Sequence, residues 1–156
     1  VVVGSLPRGL SVPRPVMIKT YLDANVLIVA FRGEHPAADA ALTLLGEGHR
    51  QFVASPYLRL ETLRKPRFYR RQDEIEFMET YFATVAHWVP SDDRLVQRAL
   101  ELAARLDLGA IDALHAAAAL QGGAEVFVTM ERRSKPLFRI PGLVTLSLNP
   151  EQRSES

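Results

Sequence analysis

The chain has 156 residues, which is enough for one compact domain with a sizeable core and too few for two ordinary domains. Apolar residues make up 47% and charged residues 24%, so the chain is not wholly disordered, and the absence of cysteine excludes disulfides, thiolate zinc sites and a cysteine nucleophile. The net charge is +1, from 19 basic and 18 acidic side chains, and so the overall charge carries no information about a nucleic-acid partner.

The first sixteen residues differ in pattern from the rest of the chain. Proline and glycine recur there with neither a helical nor a strand period. We expect residues 1–16 to be a poorly structured upstream extension, derived from an early start site or from cloning. One domain should cover residues 17–148, and residues 149–156 should form a polar tail.

Short apolar runs alternate with helical segments from Met17 onwards. The residues at 24–31 continue the first apolar run without a clear period. The helix at 57–65 should end before Pro66. A long helix should begin at a cap formed by Ser91 or Asp92 and should break at Gly109. Strands separated by helices are typical of an α/β domain with a mainly parallel sheet. The pattern predicts five strands, at 18–22, 52–54, 88–89, 126–129 and 143–148, and helices at 37–45, 57–65, 72–85, 92–106 and 111–120.

Four acidic residues stand out by their positions. Asp23 and Glu131 each follow a predicted strand, and Asp112 begins an otherwise apolar helix. Glu61 lies near the buried stripe of its helix, where a carboxylate needs a partner or a metal. Helix capping is a sufficient explanation for Asp23 and for Asp112 taken singly. Carboxylates that converge at one edge of a parallel sheet would repel one another, however, unless a divalent cation lay between them.

Other signals of chemistry are weak. The chain has no glycine-rich phosphate loop and no G-x-S-x-G elbow, and its four histidines lack metal-ligand spacing. His115 lies one turn beyond Asp112 and could touch a site there, although packing within its helix is the simpler role. Basic residues cluster between Arg59 and Arg71, where a solvated helix end or a contact with a phosphate backbone would both suit them.

Four segments, in order, resemble the motifs of PIN-domain ribonucleases. The segment 21–28 is similar to the opening motif, in which an apolar strand runs into Asp-x-Asn, and the segment 55–61 is similar to the second motif, a helix led by Ser that carries an acid. The segment 112–119 resembles the third motif, an Asp followed by a helix of small residues. The segment 127–131 aligns with the fourth motif, where Glu131 replaces the usual Asp.

The resemblance implies a single PIN-like domain with a five-stranded, mainly parallel sheet flanked by helices. It implies RNA cleavage with Mg²⁺ or Mn²⁺ held by the acidic cluster, in a cytoplasmic protein. It also implies roles for individual residues. Metal binding and catalysis would fall to four acidic residues, Asp23, Glu61, Asp112 and Glu131. Asn25 and Thr129 would position the metal ligands. Three basic residues, Arg59, Arg64 and Lys65, would contact RNA phosphates.

The resemblance also implies partners, since VapC-type members of the family are toxins that bind an antitoxin and form homodimers. A stripe of Ile75, Met78, Tyr81 and Phe82 in the helix at 72–85 fits either such an interface or packing within the domain. Because Glu131 departs from the motif, a catalytically weakened PIN-like interaction module is the alternative function. A phosphoacceptor domain built on Asp23 is a third and weaker alternative, since it lacks the further acidic and lysine residues it would need.

Overall fold

The computed structural model describes Gly9 and residues 16–153, so the expected extension at residues 1–16 lies almost wholly outside the described residues. The strands are β1 (Ile18–Leu22), β2 (Arg50–Ala54), β3 (His87–Trp88), β4 (Val126–Thr129) and β5 (Val144–Ser147). The helices are α1 (Ala24–Arg32), α2 (Ala38–Leu45), α3 (Pro56–Phe68), α4 (Gln72–Ala83), α5 (Asp93–Leu106), α6 (Ala110–Gln121) and α7 (Pro150–Arg153), and a 3₁₀ turn spans Pro136–Arg139.

The five strands form one sheet in the order β3-β2-β1-β4-β5, and every neighbouring pair is parallel. This confirms the predicted α/β class and five-stranded parallel sheet. β1 lies at the centre, where Tyr21 is in register with Val53 of β2 on one side and with Phe127 of β4 on the other. The ends of these three strands therefore lie at the same edge of the sheet.

Alternation along the strands divides the core into two layers. Leu22 and Val128 belong to one buried cluster, which contains residues of α1 to α4, whereas Tyr21 and Phe127 belong to a second cluster with residues of α5 and α6. Successive side chains of a strand point to opposite faces, so the adjacent apolar residues at 21–22 and at 127–128 fill both layers. The sheet is thus covered on both sides, as parallel sheets require.

Residues 24–32, whose type the apolar run left open, form helix α1, because the Asp23 carboxylate accepts a hydrogen bond from the Ala24 N–H and begins the helix. One local prediction was wrong. Helix α3 passes through Pro66, which is buried one turn after the buried Leu63, so packing on the core offsets the lost backbone hydrogen bond. Helix α5 ends at Leu106, within the predicted range, and the left-handed φ of 56° at Asp107 ends it two residues before Gly109.

Two open questions about the helices are resolved by their contacts. Asp92, rather than Ser91, caps α5 by accepting a hydrogen bond of 2.9 Å from the Leu95 N–H. The stripe on α4 lies inside the domain, where Met78 and Phe82 are buried in the first core cluster. Packing within the domain is therefore the correct interpretation of that stripe.

Among the described residues, no helix is long and apolar enough to cross a membrane.

The contact between the end of α6 and the sheet gives a test of this packing. A Cβ added at Gly122 would lie 2.3 Å from Cγ1 of Val53 and 2.9 Å from Cγ2 of Val89. We expect Gly122→Ala to lower the free energy of unfolding by about 1–3 kcal/mol, the usual effect of overpacking a core. Gly48→Ala is the matched control, since an added Cβ there meets nothing within 4 Å. Equal denaturant midpoints for the two variants would contradict the close packing of α6 on β2.

Candidate active site

Asp23 is fixed at the carboxyl end of the central strand. Its backbone N–H donates to the Val128 carbonyl at 2.9 Å, and Oδ1 accepts from the Ala24 N–H at 2.8 Å. The Thr129 hydroxyl donates to Oδ2 at 3.2 Å. Asp23 is 7% exposed, and so its carboxylate is held on both oxygens in a nearly buried position.

Glu61 enters the same region from the second turn of α3. Its Oε1 contacts Nε2 of His115, a buried residue of α6. Carboxylate oxygens of Asp23 and Glu61 and a ring nitrogen of His115 all lie within 4.8 Å of one another. The structure therefore brings Asp23 and Glu61 together, and it adds a histidine between them.

Asp112 and Glu131 line a cavity of about 190 Å³ beside this pair, together with Asp107 and Lys135. The extra methylene of Glu131, relative to the Asp of the motif, thus does not remove its side chain from the cavity. The Glu131 backbone is held in place, because its N–H donates to the Thr129 hydroxyl at 3.1 Å and its carbonyl accepts from the Ser147 hydroxyl at 2.6 Å.

The four carboxylates interact electrostatically. Burial is the main factor that raises the pKa of Asp23, and the charges of Asp112 and Glu61 raise it further, while His115 and the Ala24 amide oppose the shift. Burial also raises the pKa of Asp112, followed by the charge of Glu131. The neighbouring carboxylates thus make Asp23 and Asp112 harder to ionise, as like charges in one site do.

This donor set fits a divalent cation. Hard cations such as Mg²⁺ and Mn²⁺ prefer carboxylate oxygens, and a cation among these side chains would offset the mutual repulsion that raises the pKa of Asp23 and Asp112. Asp23, Glu61 and Asp112 would hold it, with Glu131 on the cavity side.

Comparison with known proteins identifies the family. A family model described as PIN domain matches residues 20–140. The chain belongs to the PIN-domain family. No curated protein sequence matches it.

Solved structures agree on the fold of this PIN domain. The VapBC2 complex of Rickettsia felis, bound to a DNA fragment from its promoter, matches with a TM-score of 0.64 and 18% identity, covering 83% of this chain and 98% of the other. A toxin-antitoxin complex from Klebsiella pneumoniae matches with a TM-score of 0.60 and 21% identity, covering 81% and 96%. VapC20 of Mycobacterium tuberculosis, a toxin that cleaves the sarcin-ricin loop, matches with a TM-score of 0.57 and 17% identity, covering 69% and 86%.

The two residues expected to position ligands differ in their surroundings. Thr129 is buried and links Asp23 to the backbone of Glu131 through its hydroxyl, as a positioning residue would. Asn25 is exposed in the first turn of α1. Its positioning role stays a prediction.

The basic residues of α3 are also of two kinds. The Arg59 guanidinium donates to both carboxylate oxygens of Glu79, at 2.9 and 3.1 Å, and lies 5.2 Å from the ring centre of Phe82. A contact between Arg59 and RNA would have to compete with this pair. Arg64 and Lys65 have exposed side chains on the same helix, so their contact with RNA phosphates stays a prediction that their exposure allows.

Sequence reasoning missed Lys135, Tyr21 and Ser55, and it left open whether His115 touches the site. Lys135 lines the cavity of Asp112 and Glu131, and its charge partly opposes the rise in the pKa of Asp112. The hydroxyls of Tyr21 and Ser55 and the ring of His115 are joined by hydrogen bonds behind Glu61. The one-turn spacing between Asp112 and His115 was a usable signal that His115 lies at the site. The positions of Tyr21 on β1 and of Ser55 before α3 relative to His115, in contrast, are defined only by the fold.

The raised pKa of Asp23 predicts a stability effect in the metal-free protein. An ionised carboxylate whose folded-state pKa is raised destabilises the folded state at neutral pH, and this penalty is relieved as the pH falls through that pKa towards the ordinary value of 3.8. Asp23→Asn removes the charge and retains a good helix cap. We therefore expect a higher Tm at about pH 7 in EDTA, where each 1 kcal/mol corresponds to about 2–4 °C in a chain of this size.

The difference in Tm between Asp23→Asn and the unsubstituted protein should shrink as the pH is lowered to about 4, because the penalty lies mostly above the ordinary pKa of 3.8 and is relieved as the folded-state carboxyl gains its proton. Thermal melts of both proteins at the two pH values measure this. A variant that is less stable than the wild type at neutral pH would show that Asp23 stabilises the fold instead of straining it.

Proposed function

We propose that this PIN domain is a metal-dependent endoribonuclease that hydrolyses RNA phosphodiester bonds, and that it is the toxin of a toxin–antitoxin pair. The observation that carries the proposal is the close approach of the Asp23 and Glu61 carboxylates, with Asp112 near enough for its charge to raise the pKa of Asp23 and with Glu131 lining a cavity beside Asp112. Such a cluster needs no nucleophilic side chain and no histidine base, since a metal-assisted hydrolysis uses water.

Each residue has a defined part in this proposal. Asp23, Glu61 and Asp112 bind Mg²⁺ or Mn²⁺, which when bound supplies Lewis acidity toward the scissile phosphate and lowers the pKa of a water. Thr129 orients the Asp23 carboxylate through its hydrogen bond. Glu131 faces the cavity and orients water there. Arg64 and Lys65 hold the flanking phosphates, which contributes affinity without sequence preference.

The alternative, a weakened interaction module, rested on Glu131 in place of Asp. The Glu131 side chain lines the same cavity as Asp112, and its charge raises the pKa of that residue. An acidic group is therefore retained at the position that the motif requires, which favours the nuclease.

The partner proposals rest on the fold and on the surface. Proteins of the same fold have been solved as toxin-antitoxin complexes. We propose that an antitoxin segment covers the acidic edge of this chain, where a cationic side chain would neutralise the carboxylates.

We propose that the face formed by α5 and α6 is the interface of a homodimer. Val96, Leu100 and Leu114 line an apolar groove of about 220 Å³ there, and Leu100 is 61% exposed.

Cleavage of RNA by the isolated chain tests the nuclease proposal. A defined RNA should be cut in the presence of Mg²⁺ or Mn²⁺ and left intact in EDTA. Asp112→Asn should reduce the rate by about 100-fold or more, because loss of a group that only orients a ligand already costs about 10–100-fold. Glu131→Gln should reduce the cleavage rate less than Asp112→Asn does, because Glu131 is proposed to orient water and not to bind the metal directly.

Asp39→Asn is the matched control, since Asp39, like Asp112, lies in the first turn of its helix but is exposed on α2. It should cleave at the wild-type rate, which shows that loss of a carboxylate away from the site leaves the activity unchanged. Wild-type rates for Asp112→Asn, or cleavage that persists in EDTA, would refute the proposed chemistry.

Light scattering at micromolar concentration tests the homodimer. We expect twice the monomer mass for the wild type and the monomer mass for Leu100→Glu, because a charge in an apolar contact is left without a partner. Leu42→Glu, at a position 45% exposed on α2, is the control and should remain dimeric. A monomeric wild type would remove the homodimer and leave the nuclease proposal in place.

A further inference from the structure

Three buried polar side chains form a continuous hydrogen-bonded series behind Glu61. The hydroxyl oxygens of Ser55 and Tyr21 are 2.8 Å apart, and the Tyr21 hydroxyl lies 2.6 Å from Nδ1 of His115. On the far side of the ring, Nε2 of His115 contacts Oε1 of Glu61. The series joins the end of β1, the start of α3 and the first half of α6.

Burial makes this series costly unless every group in it has a partner. Ser55 and Tyr21 are fully buried, and His115 is 1% exposed. A buried hydroxyl or ring nitrogen without a hydrogen bond destabilises the fold, so each member depends on the next.

One assignment of the protons satisfies all the groups with a neutral imidazole. The Ser55 hydroxyl donates to the Tyr21 oxygen, the Tyr21 hydroxyl donates to Nδ1 of His115, and Nε2–H of His115 donates to the Glu61 carboxylate. Each donor then has one acceptor and the series ends on the acid. The Tyr21 hydroxyl thereby sets which ring nitrogen carries the proton.

Glu61 needs such a partner more than the other acids do. Its side chain is 36% exposed and has three rotatable bonds, whereas Asp23 is short and is held by the Ala24 amide and by Thr129. The contact with His115 restricts one oxygen of Glu61 and leaves the other oxygen available to a cation.

We propose that Ser55, Tyr21 and His115 are positioning residues that fix the Glu61 carboxylate for cation binding. The inference rests on the proposed function, in which Glu61 is a metal ligand. It differs from the simplest interpretation of the cluster of Asp23, Glu61 and His115, in which the histidine itself binds the metal. Both ring nitrogens of His115 are already engaged, Nδ1 with Tyr21 and Nε2 with Glu61.

Cation affinity, measured by calorimetry with Mn²⁺ and by competition with Mg²⁺, separates these roles. We expect His115→Leu to weaken binding of both cations by about 10–100-fold and to the same extent, as loss of an orienting partner does. His115→Gln retains an amide N–H that can donate to Glu61, and it should recover most of that loss. Tyr21→Phe should weaken both affinities to a smaller degree, because it removes the partner of Nδ1 and leaves Nε2 in place.

Tyr21→Phe carries the test even where His115→Leu does not fold, because it retains the ring that stacks on Phe127 at 5.4 Å. The control is Leu95→Ala, a core truncation in α5 that should lower Tm without changing the affinity for either cation. This control separates loss of stability from loss of positioning.

The possible failures are distinguishable. Wild-type affinities in folded His115→Leu and in Tyr21→Phe would reduce the series to a structural role and overturn the inference. A loss confined to Mn²⁺ would make His115 a ligand, since an imidazole suits Mn²⁺ better than Mg²⁺. A wild-type protein that binds neither cation would instead refute the proposed function on which the inference rests.

Discussion

The two parallel hydrogen-bond ladders of β1 are the constraint on which the site depends. β2 pairs with one side of this strand and β4 with the other, and the Val128 carbonyl accepts a hydrogen bond from the Asp23 N–H just beyond the strand. The ends of three strands are thereby fixed at one edge of the sheet. Asp23, Ser55 and Thr129 occupy those ends, and helices α3 and α6 bring Glu61 and Asp112 to them.

This arrangement places several negative charges close together in a partly buried region. Negative charges gather where burial already disfavours them, so the pKa values of Asp23 and Asp112 are both raised. In the absence of a cation, a cluster of this kind weakens the folded state at neutral pH. Under the proposed function a bound cation would offset that penalty, and raised pKa values of this kind are frequent at functional sites.

The polar groups around the cluster are arranged in two sets. Thr129 and the backbone of residues 23–24 hold Asp23 from the β4 side, whereas the series through His115 holds Glu61 from the α6 side. The cavity of Asp112 and Glu131 is bordered by Lys135, which supplies a positive charge at its rim. The groups that hold the Asp23 and Glu61 carboxylates and the group that balances charge in the cavity thus come from different elements.

Much of the fold followed from local patterns. The alternation of apolar runs and helices predicted a five-stranded parallel sheet, which the structure confirms. One local rule failed where tertiary packing opposed it: Pro66 lies within α3 because its burial offsets the lost backbone hydrogen bond. The helical type of residues 24–32, which their apolar run left open, follows from Asp23 as the helix cap. An apolar run without a period cannot be assigned to strand or helix by its sequence alone.

The sequence by itself determined the class of fold, the order of the strands along the chain and the four acidic positions, since these follow from periodicity and from residue type at the ends of elements. Only the tertiary structure decided which side chains meet. Tyr21 and His115 are 94 residues apart in the chain, and their contact exists because β1 and α6 pack on each other. Contacts at that separation depend on packing between elements, and no local pattern of residues encodes them.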